Sequence, residues 1–156
     1  MIDFQISGLP IEAFHSFFNM NESELAERNA RRCIVDSKPG FPCRVSLVDA
    51  ELGESVILLP YIHHQVNGPY QSSGPIYVRE TAVQAQLKVN EIPQVARHRL
   101  MSIRGFDSSG SMLLSEVVEG LNLEARIADF FANESVTYLH LHNAKPGCYS
   151  CRVDRA

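Results

Sequence analysis

The hydrophobic positions at the start of the chain predict one strand followed by two helices. Residues 2–7 alternate between apolar and polar side chains, which is typical of a short half-buried strand. Apolar residues then recur at helical spacing over 10–19, after a Gly-Leu-Pro turn, and predict a helix. Asn21 and Glu24 have the spacing of a capping box, so we expect a second helix that ends near residue 31.

From residue 32 onward the hydrophobic period indicates strands. Short runs bounded by Gly, Pro, Asn and Asp predict strands at 33–35, 43–48, 55–62 and 76–79. Residues 55–62 are almost continuously apolar, which is typical of a strand covered on both faces, and we expect the longest central strand there. Residues 81–92 are ambiguous, and Pro93 is positioned to open a short helix that ends near 98.

The C-terminal part predicts two hairpins with a helix between them. The first hairpin pairs 100–106 with 112–118, and the helix after it repeats apolar residues at helical spacing and is capped by Asn122. Together the elements predict an α+β fold for a single domain spanning residues 1–156. We expect a largely antiparallel sheet, two N-terminal helices and one helix before a C-terminal hairpin.

Composition narrows the function classes. The 156 residues are 45% hydrophobic and 21% charged, as in an ordinary globular protein. A net charge of −4, without a basic stripe, argues against nucleic-acid binding. The sequence shows neither an apolar run of signal-peptide type nor one long enough for a membrane span, so we expect a cytoplasmic protein whose four cysteines are free thiols. We predict no cofactor.

Imidazoles and thiols are most concentrated in residues 138–152. Alternation along the first strand puts Tyr138, His140 and His142 on one face. On the return strand it puts Cys148, Ser150 and Arg152 on one face, and Tyr149, Cys151 and Val153 on the other. We predict the register that places the polar side chains of both strands on one face and the apolar side chains on the other. This register pairs His142 with Cys148, His140 with Ser150 and Tyr138 with Arg152.

This arrangement predicts separate roles for the two C-terminal cysteines. Cys148 and Cys151 are three residues apart in an extended strand, so they point to opposite faces and we expect no disulfide between them. Cys148 lies on the face of His142, and an adjacent imidazole can make a thiol nucleophilic.

The first functional hypothesis is therefore a small-molecule enzyme with its site on the C-terminal hairpin. Its catalytic residues are Cys148, His142 and His140, and its substrate-binding residues are Tyr138, Arg152, His63 and Tyr61. The second hypothesis is a non-catalytic ligand-binding or interaction module, such as a homodimer. The third is a cupin-like metal-dependent enzyme, in which His140 and His142 need a further ligand from His63, His64 or His98.

Two arginines in predicted strands are further candidates for binding an anion. Arg44 and Arg79 are expected to pair with Asp49 or Glu80, which are near them in the sequence.

Several motifs together resemble a family of bacterial proteins of similar length, the domain of unknown function 1203. The resemblance covers essentially the whole chain and is carried by Phe41-Pro42-Cys43-Arg44-Val45-Ser46-Leu47, Asp49-Ala50, Gly74-Pro75-Ile76-Tyr77-Val78-Arg79-Glu80, His140-Leu141-His142-Asn143-Ala144 and Gly147-Cys148-Tyr149. It implies a single domain and leaves the activity open.

Overall fold

A computed structural model describes residues 2–156. Its strands are β1 (Phe4–Ser7), β2 (Arg31–Ile34), β3 (Ser55–His64), β4 (Ser72–Arg79), β5 (Leu100–Phe106), β6 (Met112–Glu119), β7 (Tyr138–Asn143) and β8 (Tyr149–Arg155). Its helices are α1 (His15–Phe18), α2 (Glu22–Glu27), α3 (Gln94–Arg97) and α4 (Leu123–Phe131), with 3-10 turns at Ile11–Ala13 and Gly120–Asn122. Within this part of the chain, no helix combines the length and the apolar character needed to cross a membrane.

The strands form two antiparallel sheets, which confirms the predicted α+β class. The larger sheet has the order β1-β8-β7-β5-β6, and the smaller one has the order β2-β3-β4. The longest strand is β3, as predicted, and it is the central strand of the smaller sheet. The histidine-bearing strand β7 lies in the middle of the larger sheet, and all six of its residues are buried.

One face of the larger sheet packs against α4. The helix turns its apolar stripe toward the sheet, and its fully buried residues include Leu123, Ile127 and Phe131. The sheet meets them with side chains such as Leu139 and Leu141 of β7. Each such side chain stabilises the fold by about 1.5–3 kcal/mol when it leaves water. The opposite face of β7, which carries its two histidines, is therefore left to face the smaller sheet.

The N-terminal segment forms a second apolar cluster against the smaller sheet. Phe14 and Leu25 pack with Ile57 of β3 and Ile76 of β4. The capping box of Asn21 and Glu24 is present as predicted. The helix over 10–19 is shorter than expected: it is a 3-10 turn followed by the single turn α1. Helix α2 also ends earlier than predicted, at Glu27.

Residues 43–48 do not form the predicted strand. Of these residues Cys43 makes an isolated bridge, to Tyr77, and the flanking Pro42 and Asp49 bridge to each other. The amide of Leu47 donates to the carbonyl of Cys43, and the φ of Leu47 is +55°, so the backbone turns instead of extending. This turn leaves Arg44 in the interior, with 2% of its surface exposed.

The prediction for Asn122 is also corrected. It directly precedes α4, but its side chain makes no capping hydrogen bond because the residue closes the 3-10 turn at Gly120–Asn122.

Candidate functional site

A cleft of about 1000 Å³ opens beside the turn that connects β7 to β8. Its walls come from segment 39–44, from the sheet strands and from the turn itself. Three of the predicted catalytic and substrate-binding residues line it, namely Cys148, His142 and His63, and so do the further candidates Arg44 and His98. A smaller pocket of about 150 Å³ lies next to it, and His140 lines that pocket. The two pockets share His63, Ser72, Arg104 and His142 as walls.

The register of the C-terminal hairpin differs from the prediction. His140 pairs with Arg152, and His142 pairs with Tyr149, with a register shift between Leu141 and His142. Ser150 is the additional residue that forms this bulge, and a bulge interrupts the alternation on which the prediction depended. Tyr149 consequently joins the histidine face, whereas Cys151 remains on the apolar face as expected.

Four imidazoles and one phenol form a compact aromatic cluster where the two sheets meet. The ring of His63 stacks on Tyr149 with centroids 5.2 Å apart and lies 5.0 Å from His142. The ring of His64 lies 5.0 Å from His140, which is 5.1 Å from Tyr149. The end of β3 is thereby packed against the centre of the larger sheet.

The hydrogen-bond partners fix the tautomers of two histidines. Nδ1 of His142 lies 2.9 Å from the carbonyl oxygen of Gly147, which can only accept, so Nδ1 carries the proton and Nε2 is a free acceptor in the neutral ring. Nδ1 of His64 likewise donates to the carbonyl of Tyr70, and Nε2 accepts from the hydroxyl of Tyr138 over 2.6 Å.

Burial keeps three of these rings neutral near pH 7. Desolvation lowers the pKa of His142 to about 4 and that of His63 to about 4. Desolvation and the neighbouring His64 lower the pKa of His140 to about 2. Neutral imidazoles with an unprotonated nitrogen can act as bases or hydrogen-bond acceptors.

The thiol of Cys148 is half-buried at the wall of the cleft. The side-chain amide of Asn143 donates to Sγ over 3.4 Å, and the backbone amide of Asn143 donates to the carbonyl of Cys148. Gly147 has a φ of +82°, a conformation that favours glycine, and it lets the turn close on Cys148. No hydrogen bond joins His142 to Cys148 in residues 2–156, although both side chains line the cleft.

Arg44 lies next to this thiol and makes no ion pair with any carboxylate of residues 2–156. Its guanidinium donates to the backbone carbonyls of Tyr149 and Pro42. Burial lowers the pKa of Arg44, and the neighbouring Cys148 acts in the opposite direction. An arginine stays protonated in a protein, so the structure places a desolvated positive charge beside the cleft thiol.

The expected partners of Arg44 are used elsewhere. Asp49, which is 3% exposed, accepts from Arg99 over 2.6 Å and from His98 over 3.0 Å. Burial alone would raise the pKa of Asp49, but Arg99 and His98 outweigh this effect and lower it. Arg79, the other predicted partner of Asp49 or Glu80, pairs with Glu54 instead.

Three predicted substrate-binding residues do not line either of the two histidine-lined pockets. The guanidinium of Arg152 lies over the ring of Tyr138, 4.1 Å from its centroid, and pairs with Asp154. The hydroxyl of Tyr138 is used by His64. Tyr61 packs against Phe14 in the N-terminal apolar cluster.

The site contains residues that the sequence did not single out. Tyr149 directly follows Cys148 in the sequence, and Asn143 lies five positions before it, across the predicted turn, so this closeness was a signal that could have been used. Arg104 alternates with apolar residues on β5, as the two histidines do on β7, and its strand pairs it with His140. This alternation identifies the polar face of β5. It does not show that β5 pairs with β7, because that pairing is a long-range contact.

Within residues 2–156, no group of three or more His, Cys, Asp or Glu side chains has an arrangement that could hold a metal ion. The histidines contact one another, Tyr149 and backbone carbonyls instead.

Comparisons with known proteins give a family but no activity. No curated protein and no solved structure matches the chain. A family model described as "Protein of unknown function (DUF1203)" matches residues 40–155, which include every wall of the cleft except Pro39. Because the match covers most of the sequence, the chain belongs to the DUF1203 family.

Proposed function

We propose that the protein is a small-molecule enzyme in which Cys148 is the nucleophile. The observation that carries the proposal is the pair formed by Cys148 and Arg44: a cleft thiol beside a buried guanidinium that has no carboxylate partner in residues 2–156. This arrangement differs from the pair of Cys148 and His142 that the sequence predicted.

The charge of Arg44 is the physical reason to expect a reactive thiol. A buried cation is costly unless an anion or strong hydrogen-bond acceptors compensate it. Two backbone carbonyls supply part of this compensation for Arg44. The Sγ of Cys148 lies beside this charge and accepts the side-chain amide hydrogen bond of Asn143, and a positive charge and a donor next to a thiol are the surroundings typical of a nucleophilic cysteine.

His142 is suited to a different role from that of activating Cys148. Its Nε2 is the unprotonated nitrogen of a neutral ring, and the ring lines the same cleft. A base in this position accepts a proton from a water molecule or from a substrate hydroxyl.

Acyl transfer to water is the reaction class that a nucleophile and a separate base support best. The thiolate forms a bond to a carbonyl carbon, and the leaving group departs with its electron pair and takes a proton from water. A second water then gives its proton to Nε2 of His142 as its oxygen attacks the thioester. The carbon–sulfur bond breaks, and the thiolate is regenerated. Protonated His142 then gives its proton to the hydroxide that the first water left, so its ring is neutral again and one water is consumed overall.

Selective alkylation tests the proposal, with the other cysteines as internal controls. The protein is treated with iodoacetamide at pH 7, and the labelled peptides are quantified over time. We expect Cys148 to be labelled before Cys33, which is also half-buried, and Cys43 and Cys151 to be labelled only after unfolding. If Cys148 reacts no faster than Cys33, the thiol is structural and the protein is better described as a non-catalytic binding module.

A further inference from the structure

We infer that the cleft binds a small organic anion, a carboxylate or a phosphate ester, and that Arg104 is the residue that receives its charged group. The inference rests on the proposed function, since it names the substrate class of the same site. Its experiment nevertheless measures binding, which does not require Cys148 to react.

Arg104 is held at the junction of the two pockets. It lies in β5, opposite His140 of β7, and its side chain lines both the cleft and the smaller pocket. Its Nε donates to the hydroxyl of Ser102 over 3.2 Å, and no carboxylate of residues 2–156 pairs with it. The two terminal nitrogens of the guanidinium make no hydrogen bond in this part of the chain, so they are free to bind an anion as a bidentate fork.

The charges around the cleft favour an anion although the whole chain is acidic. Arg44, Arg104 and Lys145 line the cleft without carboxylate partners in the described residues, and Arg99 is neutralised by Asp49. Glu119 is the acidic residue among the cleft walls of residues 2–156, and it is exposed. The chain as a whole has a net charge of −4. A positive cleft in a negative protein attracts negatively charged small molecules specifically to that cleft.

Buried polar atoms without partners give a second, independent indication of a ligand. Nδ1 of His140 and Nδ1 of His63 are buried and make no hydrogen bond, and the same is true of Oδ1 of Asn143. His140 is 2% exposed and Asn143 is 4% exposed. Buried polar groups are rarely left unpaired, and the residues that carry these three atoms each line the cleft or the smaller pocket, both of which Arg104 also lines. Because no partner fixes the tautomer of His140, its Nδ1 can carry the proton and donate it to an anion.

Binding is measured with two anions and one neutral control. Inorganic phosphate, succinate and succinamide are titrated separately into the protein by calorimetry, in a phosphate-free buffer of low ionic strength. The variants are Arg104→Met, Arg104→Lys and Arg126→Met. Arg126 is the matched control, because it lies in α4 and pairs with Asp129 away from the cleft. Thermal unfolding of each variant shows that it is folded.

We expect wild type and Arg126→Met to bind at least one anion and not to bind succinamide. Arg104→Met should weaken that binding by at least roughly tenfold, and Arg104→Lys should weaken it less, because lysine keeps the charge but loses the fork. Binding of phosphate alone assigns the site to phosphate esters, and binding of succinate alone assigns it to carboxylates. Absence of binding by both anions, or equal binding by Arg104→Met and Arg126→Met, overturns the inference.

The two proposals can fail separately. If the anion binds through Arg104 while Cys148 reacts no faster than Cys33, the proposed enzyme is wrong and the binding site stands. If Cys148 is selectively labelled while neither anion binds, the reactive thiol stands and the anionic substrate class is wrong.

Discussion

Nε of Arg44 donates a hydrogen bond to the carbonyl oxygen of Tyr149 over 2.7 Å, across 105 positions of the sequence. This bond joins the irregular segment 41–50 to the first residue of β8, directly after Cys148. It orients the guanidinium beside the thiol, and it ties the inward turn of the segment to the C-terminal hairpin. Arg44 is therefore a positioning residue for the proposed nucleophile.

A glycine directly after β1 allows the segment that carries Arg44 to approach. A Cβ added at Gly8 would lie 2.1 Å from the carbonyl oxygen of Val45, which is a backbone atom and cannot move alone. We expect Gly8→Ala to lower the free energy of unfolding by about 1–3 kcal/mol. Chemical denaturation measures the change. Gly68→Ala is the control, since nothing lies within 4 Å of its added Cβ; equal stabilities of the two variants would contradict the packing described for segment 41–50.

The hydroxyl of Tyr138 has a structural role in this account. Tyr138→Phe leaves Nε2 of His64, a residue that is 4% exposed, without its donor. An unsatisfied buried acceptor costs about 1–3 kcal/mol, so the free energy of unfolding should fall by that amount. The rate of Cys148 alkylation should not change, because Tyr138 does not line the cleft. Tyr70→Phe removes an exposed hydroxyl as the control, and a selective loss of alkylation in Tyr138→Phe would instead place Tyr138 in the site.

Acid should destabilise the fold through the buried histidines. The pKa of His142 is lowered to about 4 and that of His140 to about 2 in the folded state, below the ordinary value near 6.5 that applies to the unfolded chain. The unfolded state therefore binds more protons below pH 6.5, and stability present above that pH is lost as the pH falls. Each fully buried histidine should contribute a loss of about 2 kcal/mol between pH 6.5 and 5.

Denaturant unfolding at several pH values measures this slope. His140→Gln should make the decrease shallower than in wild type, because it removes one group whose protonation opposes folding. His15→Gln replaces an exposed imidazole on α1 and should keep the slope of wild type. An unchanged slope in His140→Gln would show that His140 is not held neutral by the fold.

The sequence predicted most strands, the α+β class and the apolar face of β7, because alternation and helical spacing are local signals. It did not predict the register of the final hairpin. Alternation assumes an unbroken strand, and the bulge at Ser150 moves Tyr149 onto the face of His142. The faces of Leu139 and Cys151 were nevertheless predicted correctly, because both side chains are apolar and are buried in the hydrophobic core.

Which residues pair with the site residues depends on contacts between positions that are far apart in the sequence. Asp49 is five positions from Arg44 and was its expected partner, but the fold gives Asp49 to Arg99. The position of Arg104 beside the histidines follows from the pairing of β5 with β7, which no local pattern specifies. The sequence therefore pointed to Cys148 as a candidate, and the positive charges near it follow from long-range contacts that it does not specify.

The most direct test of the account compares alkylation of Cys148 at pH 7 in wild type, Arg44→Met, Arg44→Lys and His142→Gln. If Arg44 stabilises the thiolate, Arg44→Met should slow labelling by roughly tenfold or more, and Arg44→Lys should retain part of the rate because the charge remains. His142→Gln should stay close to wild type, since no hydrogen bond joins His142 to the thiol. Cys43 and Cys151 are buried and should stay unlabelled in the same samples as long as each variant is folded. An unchanged rate in Arg44→Met, or an equal loss in His142→Gln, would contradict the account.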